Sequence, residues 1–256
     1  IIEINLQNDL VDGILPESID LLCDLKELDL GNNGLDGINN DLGRMGNLEV
    51  LNLSQNELSF DQNLFQPFPP SLLSLNLSAN SYTGIQGIDI LSKLKSLNLN
   101  NNDLTEIKSE WAELPLEYFN LFSNEITGEV PEFLGNMTTL ILLDLRSNDL
   151  SGCLHPNLKN ICGSIVALSS NPNLDNDNMS TFCSSDVGIC DLCQEHVTLT
   201  GTITTGTYEA FSSITCNGTI AAGADVTLSA PDSVVLANDF NVISTGLLQI
   251  DNTGCN

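Results

Sequence analysis

The residues best suited to chemistry by type and spacing form a short cysteine cluster. Cys190 and Cys193 are separated by two residues, His196 follows three positions after Cys193, and Cys183 precedes them. Zinc in structural sites takes four sulfur or nitrogen ligands, usually as two pairs, and no second pair has matching spacing. A redox dithiol normally opens a helix beside a strand, whereas this stretch reads as an irregular linker. The cluster therefore favours structural disulfides over a metal or redox centre.

Cysteine content also indicates the compartment. Six of the eight cysteines fall between residues 153 and 216, which is typical of an oxidising environment. The predicted bonds are Cys153–Cys162, Cys183–Cys190 and Cys193–Cys255, which leaves Cys23 and Cys216 free. Spacing leaves other pairings open. We interpret the chain as an extracellular protein, secreted or at the cell surface, whose export signal has been removed.

Catalytic groups are not assembled by any recognisable motif. The two histidines, His155 and His196, lie outside nucleophile elbows and metalloprotease helices. None of the 34 acidic residues is singled out by its spacing as half of a hydrolytic pair. The sequence therefore predicts a protein that is not an enzyme and has no cofactor.

The charge of the chain excludes two classes of partner. Its formal net charge is −27, and all seven basic residues lie between Lys26 and Lys159. A protein that binds nucleic acid or an anionic membrane does so through clustered lysine and arginine, so neither is an expected partner. Diffuse binding of divalent cations by the many carboxylates is left open, because no compact calcium loop is present.

The elements that must position any binding surface are eight copies of an apolar-x-apolar pattern, spaced 22 to 24 residues apart. The copies are Ile4-x-Leu6, Leu28-x-Leu30, Leu51-x-Leu53, Leu75-x-Leu77, Leu97-x-Leu99, Phe119-x-Leu121, Leu143-x-Leu145 and Val166-x-Leu168. An Asx residue follows each copy by three positions: Asp9, Asn33, Asn56, Asn80, Asn102, Asn124, Asn148 and Asn171. Such a period predicts a solenoid in which each unit buries its apolar face against its neighbours.

Each position of the repeat has a physical role. The two apolar side chains point inward from a short parallel strand, because side chains alternate across a strand. The asparagine turns inward at the end of the strand and bonds backbone groups of the adjacent turn that would otherwise be buried and unpaired. Asp9 can accept such bonds but cannot donate them, so we expect the first unit to be the loosest.

The turns after the strands resemble the leucine-rich repeat family, and specifically its plant-type subclass. That subclass has a glycine step and a proline after the asparagine, which this chain carries in residues 11–16 and 126–131, while residues 135–140 also fit. The resemblance implies an α/β-type solenoid over residues 1–175, with a parallel sheet on its concave face and irregular or 3₁₀ segments on its convex side.

The rest of the chain has a different composition. Residues 176–194 are polar and cysteine-rich, as expected of a cap and linker. Residues 195–256 are rich in Thr, Ser, Gly, Val and Ile, and their alternating segments recur at about 20 residues, which predicts a small all-β solenoid of three rungs. This part resembles the coathanger-like β-stack at the C-terminus of many secreted Bacteroidetes proteins, a resemblance that implies no chemistry.

The residue between the two inward positions of each strand should point outward, onto the concave face. In a parallel stack these residues form one line, which we call the outward column: Asn5, Asp29, Asn52, Asn76, Asn98, Asn120, Asp144 and Ala167. Tyr118, Phe122 and Arg146 lie beside it, and the two aromatic side chains are candidate anchors for a ligand. The alternative is structural: the amides bond from rung to rung and stiffen the sheet.

Two functional hypotheses follow. In the first, the concave face binds a protein or a glycan, as an adhesion or recognition module would; ice binding by the regular polar array is a minor variant. In the second, the protein is a self-assembling subunit of a filament or tube, because the first strand has an exposed apolar edge. The residues of that edge are Ile1, Ile2, Ile4 and Leu6.

Overall fold

The structure, a computed structural model, describes most of the chain. It covers residues 2–38, 40–59, 68–174 and 179–184, and beyond them the strand segments 194–199, 202–203, 206–216, 219–220, 225–229, 233–236, 241–242 and 247–251. The chain divides into two compact units. The first is Ile1–Leu150 with Asn157–Pro172, and the second is Ser151–Pro156 with Asn173–Asn256.

The first unit is built on one parallel sheet of eight three-residue strands, which we number rungs 1 to 8 along the chain. They are Glu3–Asn5, Glu27–Asp29, Val50–Asn52, Ser74–Asn76, Ser96–Asn98, Tyr118–Asn120, Leu142–Asp144 and Ile165–Ala167. Each rung pairs with the next one along the chain, and equivalent residues face each other at every step. The predicted parallel sheet is therefore confirmed. We call the side of this sheet that points away from the core the sheet face.

The inward apolar pairs form the core of the first unit. Leu28 and Leu30 are each 1% exposed, and Leu143 and Leu145 are completely buried. Rung 1 departs from this pattern, since Leu6 is 37% exposed. The expectation that the first rung is the loosest is consistent with this difference.

Short 3₁₀ helices lie in several of the segments that return the chain from one rung to the next. Their bounds are Glu17–Leu21, Asn40–Arg44, Ser109–Glu113, Glu132–Asn136 and Pro156–Ile161. These segments pack closely: a Cβ added to Gly135 would stand 2.2 Å from the carbonyl oxygen of Asn157. Trp111, on the third helix, is buried and meets Phe119 of rung 6 edge to face, with ring centroids 6.1 Å apart. The helices thus close the core behind the sheet.

Further short elements flank the rungs. Asp12–Ile14 pairs in parallel with Gly34–Gly37. The other short strands are Thr127–Glu129, Asp149–Gly152 and Asn173–Leu174, and the described α-helix is Met179–Ser184.

One side chain per unit connects each rung to the rung before it. We call these residues the asparagine ladder: Asn33, Asn56, Asn80, Asn102, Asn124, Asn148 and Asn171. Asn102 shows the pattern, because its Nδ2 donates to the carbonyl oxygens of Leu99 in its own rung and Leu77 in the preceding rung, both at 3.1 Å. Its Oδ1 accepts the N–H of Tyr82, also from the preceding unit, at 3.0 Å.

The same three bonds recur at every member of the asparagine ladder, with Nδ2 to carbonyl distances of 2.6–3.1 Å. The backbone N–H donors to Oδ1 lie at 3.0–3.1 Å. The predicted inward asparagine is therefore confirmed. Its amide satisfies buried backbone groups that the three-residue strands leave unpaired.

The chain turns toward the asparagine ladder through a left-handed residue in each unit. The residue just before the Asx position has a φ of 51–64° in all eight units: Asn8, Asn32, Gln55, Ala79, Asn101, Ser123, Ser147 and Ser170. This conformation costs about 1–2 kcal/mol per residue for an L-amino acid other than glycine. The ladder bonds that the turn makes possible offset that cost.

The second unit contains strands at Gln194–Leu199, Thr202–Ile203, Gly206–Cys216, Thr219–Ile220, Asp225–Ser229, Ser233–Leu236, Asn241–Val242 and Leu247–Asp251. All their described pairings are parallel, and paired residues are about 20 positions apart, as in Tyr208 with Leu228 and Leu228 with Ile250. Ile203, Val226 and Leu228 are buried.

Loss of one amide donor from the asparagine ladder should destabilise the folded protein. Replacing Asn102 by Asp keeps the shape but places a buried carboxylate against two carbonyl oxygens, and should lower the free energy of unfolding by about 3–5 kcal/mol at neutral pH. Burial raises the pKa of the introduced carboxyl, so the loss should shrink as the pH falls and the group becomes a donor. Urea denaturation at several pH values measures both effects.

The neighbouring Asn101 provides a matched control, because it is exposed and the one described hydrogen bond of its side chain runs to the side chain of Asn100. Asn101→Asp makes the same chemical change and should alter stability by less than about 0.5 kcal/mol. Equal losses in the two variants would show that the ladder amide does not carry the stacking.

Candidate functional site

The sheet face presents three parallel lines of side chains. The outward column lies in the middle, as predicted, and the strand pairing aligns its members from rung to rung. The line before it, which we call the entry column, is Glu3, Glu27, Val50, Ser74, Ser96, Tyr118, Leu142 and Ile165. The line after it, the exit column, is Gln7, Gly31, Ser54, Ser78, Asn100, Phe122, Arg146 and Ser169.

The outward column has a structural role that differs from the expected one. In rungs 1 to 7 its side-chain oxygen accepts the backbone N–H of the residue two positions later, at 2.9–3.2 Å. Asn76, for example, accepts from both the N–H and the hydroxyl of Ser78. These bonds are Asx turns, which end the strand and pair an N–H that the sheet does not use.

Direct bonding between members of the outward column is much rarer than the interpretation of stacked amides requires. The described contacts include one such bond, from Nδ2 of Asn52 to Oδ1 of Asp29 at 2.9 Å. Asparagine and aspartate are thus explained within each rung, where their side chains cap the strand. Sequence analysis found the residues and missed this reason for them.

Two of the residues predicted beside the outward column, Phe122 and Arg146, come together near the C-terminal end of the sheet face. Arg146 donates from Nε to Oδ1 of Asp144 at 2.9 Å and from Nη2 to Oδ2 at 2.6 Å. Its guanidinium also lies over the ring of Phe122, 5.4 Å from the centroid. The Asp144 carboxylate raises the pKa of Arg146, chiefly through the hydrogen bonds. A bidentate pair and a ring together hold this cation in one orientation.

Large exposed apolar side chains occur at rungs 6 to 8, where sequence analysis named Tyr118 and missed Ile141 and Ile165. Tyr118 and Ile141 are each 46% exposed and Ile165 is 65% exposed, on three successive rungs or immediately before them. We call these three residues the apolar patch. Polar residues occupy most of the rest of the sheet face, so large exposed apolar groups are unexpected here. The signal in the sequence was an aromatic or apolar residue just before the inward apolar pair in each of the last three units, namely Tyr118, Leu142 and Ile165, with Ile141 immediately before Leu142.

Ion pairs join neighbouring rungs at the edge where the strands begin. Lys26 contacts Glu49 at 2.9 Å and Lys95 contacts Glu117 at 2.5 Å. The hydrogen bond to Glu49 raises the pKa of Lys26. Both pairs are exposed, so each contributes little to stability.

The predicted assembly edge is partly exposed. Ile2 is 65% and Leu6 37% exposed, Ile4 is half-buried, and Ile1 lies outside the described residues. Two further apolar side chains of the first unit, Leu10 and Ile14, are 91% and 69% exposed. The first repeat therefore exposes several apolar side chains.

Three of the predicted disulfide cysteines, Cys153, Cys162 and Cys183, are disulfide-bonded, and Cys23 is free and exposed. Which cysteine each of them pairs with remains a prediction. Cys190, Cys193 and Cys255 lie outside the described residues.

Neither a metal-binding cluster nor a membrane span is present among the described residues. Among the described residues, no three His, Cys, Asp or Glu side chains are grouped in a way that could hold a metal ion. No helix within the described ranges has the length and apolar character needed to cross a bilayer.

Comparison with known proteins supports the repeat assignment. The model of the family named Leucine Rich Repeat matches residues 24–45, 93–114 and 115–137. A stretch of 141 residues is 32% identical to Receptor-like protein 7 of Arabidopsis thaliana, which is 54% of this chain and 12% of that protein. The chain thus spans about an eighth of the length of this relative. These matches show leucine-rich repeats in the matched residues and a similarity to a plant receptor-like protein.

Solved structures support the fold. The chain resembles the plant peptide hormone receptor RGFR1 in complex with RGF2, with a TM-score of 0.57 and 19% identity over 96% of this chain and 43% of that one. It also resembles the ectodomain of the Arabidopsis thaliana receptor kinase GASSHO1/SCHENGEN3, with a TM-score of 0.53 and 21% identity over 93% and 32%. The leucine-rich repeat protein LIC12759 of Leptospira interrogans gives 0.52 and 19%, over 96% and 79%. The fold is a leucine-rich repeat solenoid.

The capping role of the outward column can be separated from a role in binding. Asn76→Ala removes the acceptor of two hydrogen bonds, and should lower the free energy of unfolding by about 1–2 kcal/mol. Asn76→Asp keeps the acceptor oxygen and should remain within about 0.5 kcal/mol of the native protein. Thermal or urea unfolding of the two variants measures the difference. Similar stabilities for both variants would contradict the capping role.

Proposed function

We propose that this protein is a non-enzymatic extracellular interaction module that binds a protein ligand on its sheet face. The observation that carries the proposal is the exposed apolar patch of Tyr118, Ile141 and Ile165, because polar residues occupy most of the rest of the sheet face. Exposed apolar groups of this kind mark interaction sites, and aromatic and arginine side chains dominate the energetics of such sites. The similarity of this chain to the ectodomains of plant receptors also favours a role in protein–protein interaction.

The geometry around the apolar patch supports a preorganised site. Arg146 is held by Asp144 and Phe122, so little side-chain entropy is lost when a ligand contacts it. Behind the patch, the buried pair of Trp111 and Phe119 fixes rung 6. Two of the structurally similar proteins, RGFR1 and GASSHO1/SCHENGEN3, were solved in complex with RGF2 and with CASPARIAN STRIP INTEGRITY FACTOR 2.

A glycan or ice would instead have to use the polar outward column. The oxygen atoms of that column accept bonds from their own backbone in rungs 1 to 7. They are therefore poorly placed to bind a polar surface, and we favour a protein ligand.

The strand pairings of the second compact unit concern the fold of residues 195–256. We propose that residues 195–256 form a three-rung β-stack joined to residues 1–175 by a cap and linker at 176–194. The parallel pairings of Gly206–Cys216 with Asp225–Ser229 and of the latter with Leu247–Asp251 support three successive layers.

The proposed function predicts that binding depends on the apolar patch. Peptides selected from a random display library on the whole protein supply the probes, and fluorescence anisotropy gives their dissociation constants. Tyr118→Ser and Ile165→Ser should each weaken binding by about 10-fold or more, since each removes a candidate anchor. Circular dichroism checks that the variants are folded.

Leu21→Ser is the matched control, because Leu21 is 76% exposed and lies on the 3₁₀ helix Glu17–Leu21, away from the sheet. It should leave the dissociation constants within about twofold of the native values. Selected peptides that bind all three variants as well as the native protein would overturn the proposal.

Self-assembly is the second candidate, favoured by the exposed apolar side chains of rung 1. Stacking copies end to end would bury Ile2, Leu6 and Leu10, and a contact of this heterologous kind propagates into a filament. Asp9 opposes such stacking, because it has no side-chain N–H to donate. The asparagine at the same position in each later repeat donates an N–H to a carbonyl oxygen of the preceding repeat.

Sedimentation velocity over a range of concentrations tests this candidate. If rung 1 receives a second copy, Leu10→Ser should reduce association and Asp9→Asn should strengthen it by about 5- to 10-fold, since the amide restores a donor. A monomer at all concentrations, unchanged by either substitution, would exclude the self-assembling form.

A further inference from the structure

The entry column changes its chemistry in one direction along the sheet. It begins with Glu3 and Glu27, continues through Val50 and two serines, and ends with Tyr118, Leu142 and Ile165. The line therefore runs from acidic, through small and neutral, to apolar. Because equivalent residues stand in register, this gradient is a continuous surface property and not a scatter of unrelated side chains.

The acidic end of the entry column has carboxylate oxygens that take no part in the described hydrogen bonds. Glu3 and Glu27 are exposed and face each other across neighbouring rungs. Asp29 accepts from Gly31 and Asn52 through Oδ1, while its second oxygen takes no part in those bonds. Lys26, the cation beside them, is already paired with Glu49. Two exposed carboxylates one rung apart repel each other, so a cationic partner would relieve that repulsion.

The apolar end differs in charge from the acidic end. Arg146 follows rung 7 beside Phe122, its side chain is 48% exposed, and it pairs with the carboxylate of Asp144. A cationic group of a ligand is therefore attracted to the acidic residues of rungs 1 and 2 rather than to the apolar end. The two ends therefore set the direction in which a ligand can lie, as complementary charge patterns do at other interfaces.

We infer, on the basis of the proposed function, that the sheet face holds an extended segment of a protein partner that is cationic at one end and apolar at the other. The cationic end contacts Glu3, Glu27 and Asp29, and the apolar end contacts the apolar patch. From Glu27 to Tyr118 there are four steps between rungs, about 19 Å at 4.7–4.9 Å per step. An extended chain covers this distance in about six residues.

Synthetic probe peptides test the spacing. Each has two lysines at one end, Leu-Phe at the other, and a Ser-Thr spacer of two, six or ten residues, made in both chain directions. Dissociation constants for the whole protein are measured by fluorescence anisotropy. The six-residue spacer should bind about 5- to 10-fold more tightly than the two-residue spacer, because only the longer peptide reaches both ends. Affinity that does not depend on the spacer overturns the inference.

Charge reversal tests the orientation. Glu27→Lys should weaken the six-residue probe by about 10-fold and should have little effect on a probe without lysines. Glu125→Lys is the matched control, since Glu125 is also exposed, lies after the ladder residue Asn124, and changes the net charge equally. It should change affinity by less than about twofold. Equal effects of the two reversals would show only attraction to an acidic protein, and would overturn the inference.

The library peptides separate this inference from the proposed function. If they lose affinity in Ile165→Ser but have no basic end and ignore Glu27→Lys, the sheet face binds ligands and the inference about their polarity is wrong. If they ignore Ile165→Ser as well, the proposed function fails and the inference fails with it. Enrichment of basic residues about six positions from an apolar pair supports both.

Discussion

The stacking of this protein depends on a buried asparagine amide that occupies the same place in seven successive units. A strand of three residues pairs only a few backbone groups, so its burial would leave other N–H and C=O groups without hydrogen bonds. The asparagine ladder supplies the missing partners, because each amide bonds two carbonyl oxygens and one N–H across a pair of rungs. The residue before each of these asparagines adopts a left-handed conformation, and the local strain of that conformation is the cost of the arrangement.

That constraint decides which positions are available for function. The inward apolar pair and the ladder residue are committed to the core, and the outward column is committed to Asx turns in rungs 1 to 7. What remains free on the sheet face is the entry column together with parts of the exit column. Most residues of the acidic and apolar ends occur at these positions, and Asp29 is the exception, since one of its oxygens forms the turn and the other takes no part in it. The scaffold and the binding chemistry thus largely use different residues of the same strand.

The two ends of the sheet face also differ in rigidity and charge. Near its C-terminal end, the bidentate contact between Arg146 and Asp144 and the buried contact between Trp111 and Phe119 hold the surface in place. At rung 1, by contrast, Leu6 is partly exposed and Asp9 cannot donate as the asparagines do. A ligand that uses both ends would therefore join the most constrained rungs to the least constrained ones.

The repeat pattern alone determined the parallel sheet, the inward leucines and the hydrogen-bonding role of the asparagines, because period, side-chain alternation and donor chemistry are local properties. It also placed Tyr118, Phe122 and Arg146 on one face. The tertiary structure decided what local pattern cannot express. Whether Asn76 bonds a neighbouring amide or its own backbone depends on the geometry of the turn, which favoured the backbone N–H. The apolar patch likewise exists only because stacking brings Tyr118, Ile141 and Ile165 from separate units onto one surface, where the fold leaves them uncovered.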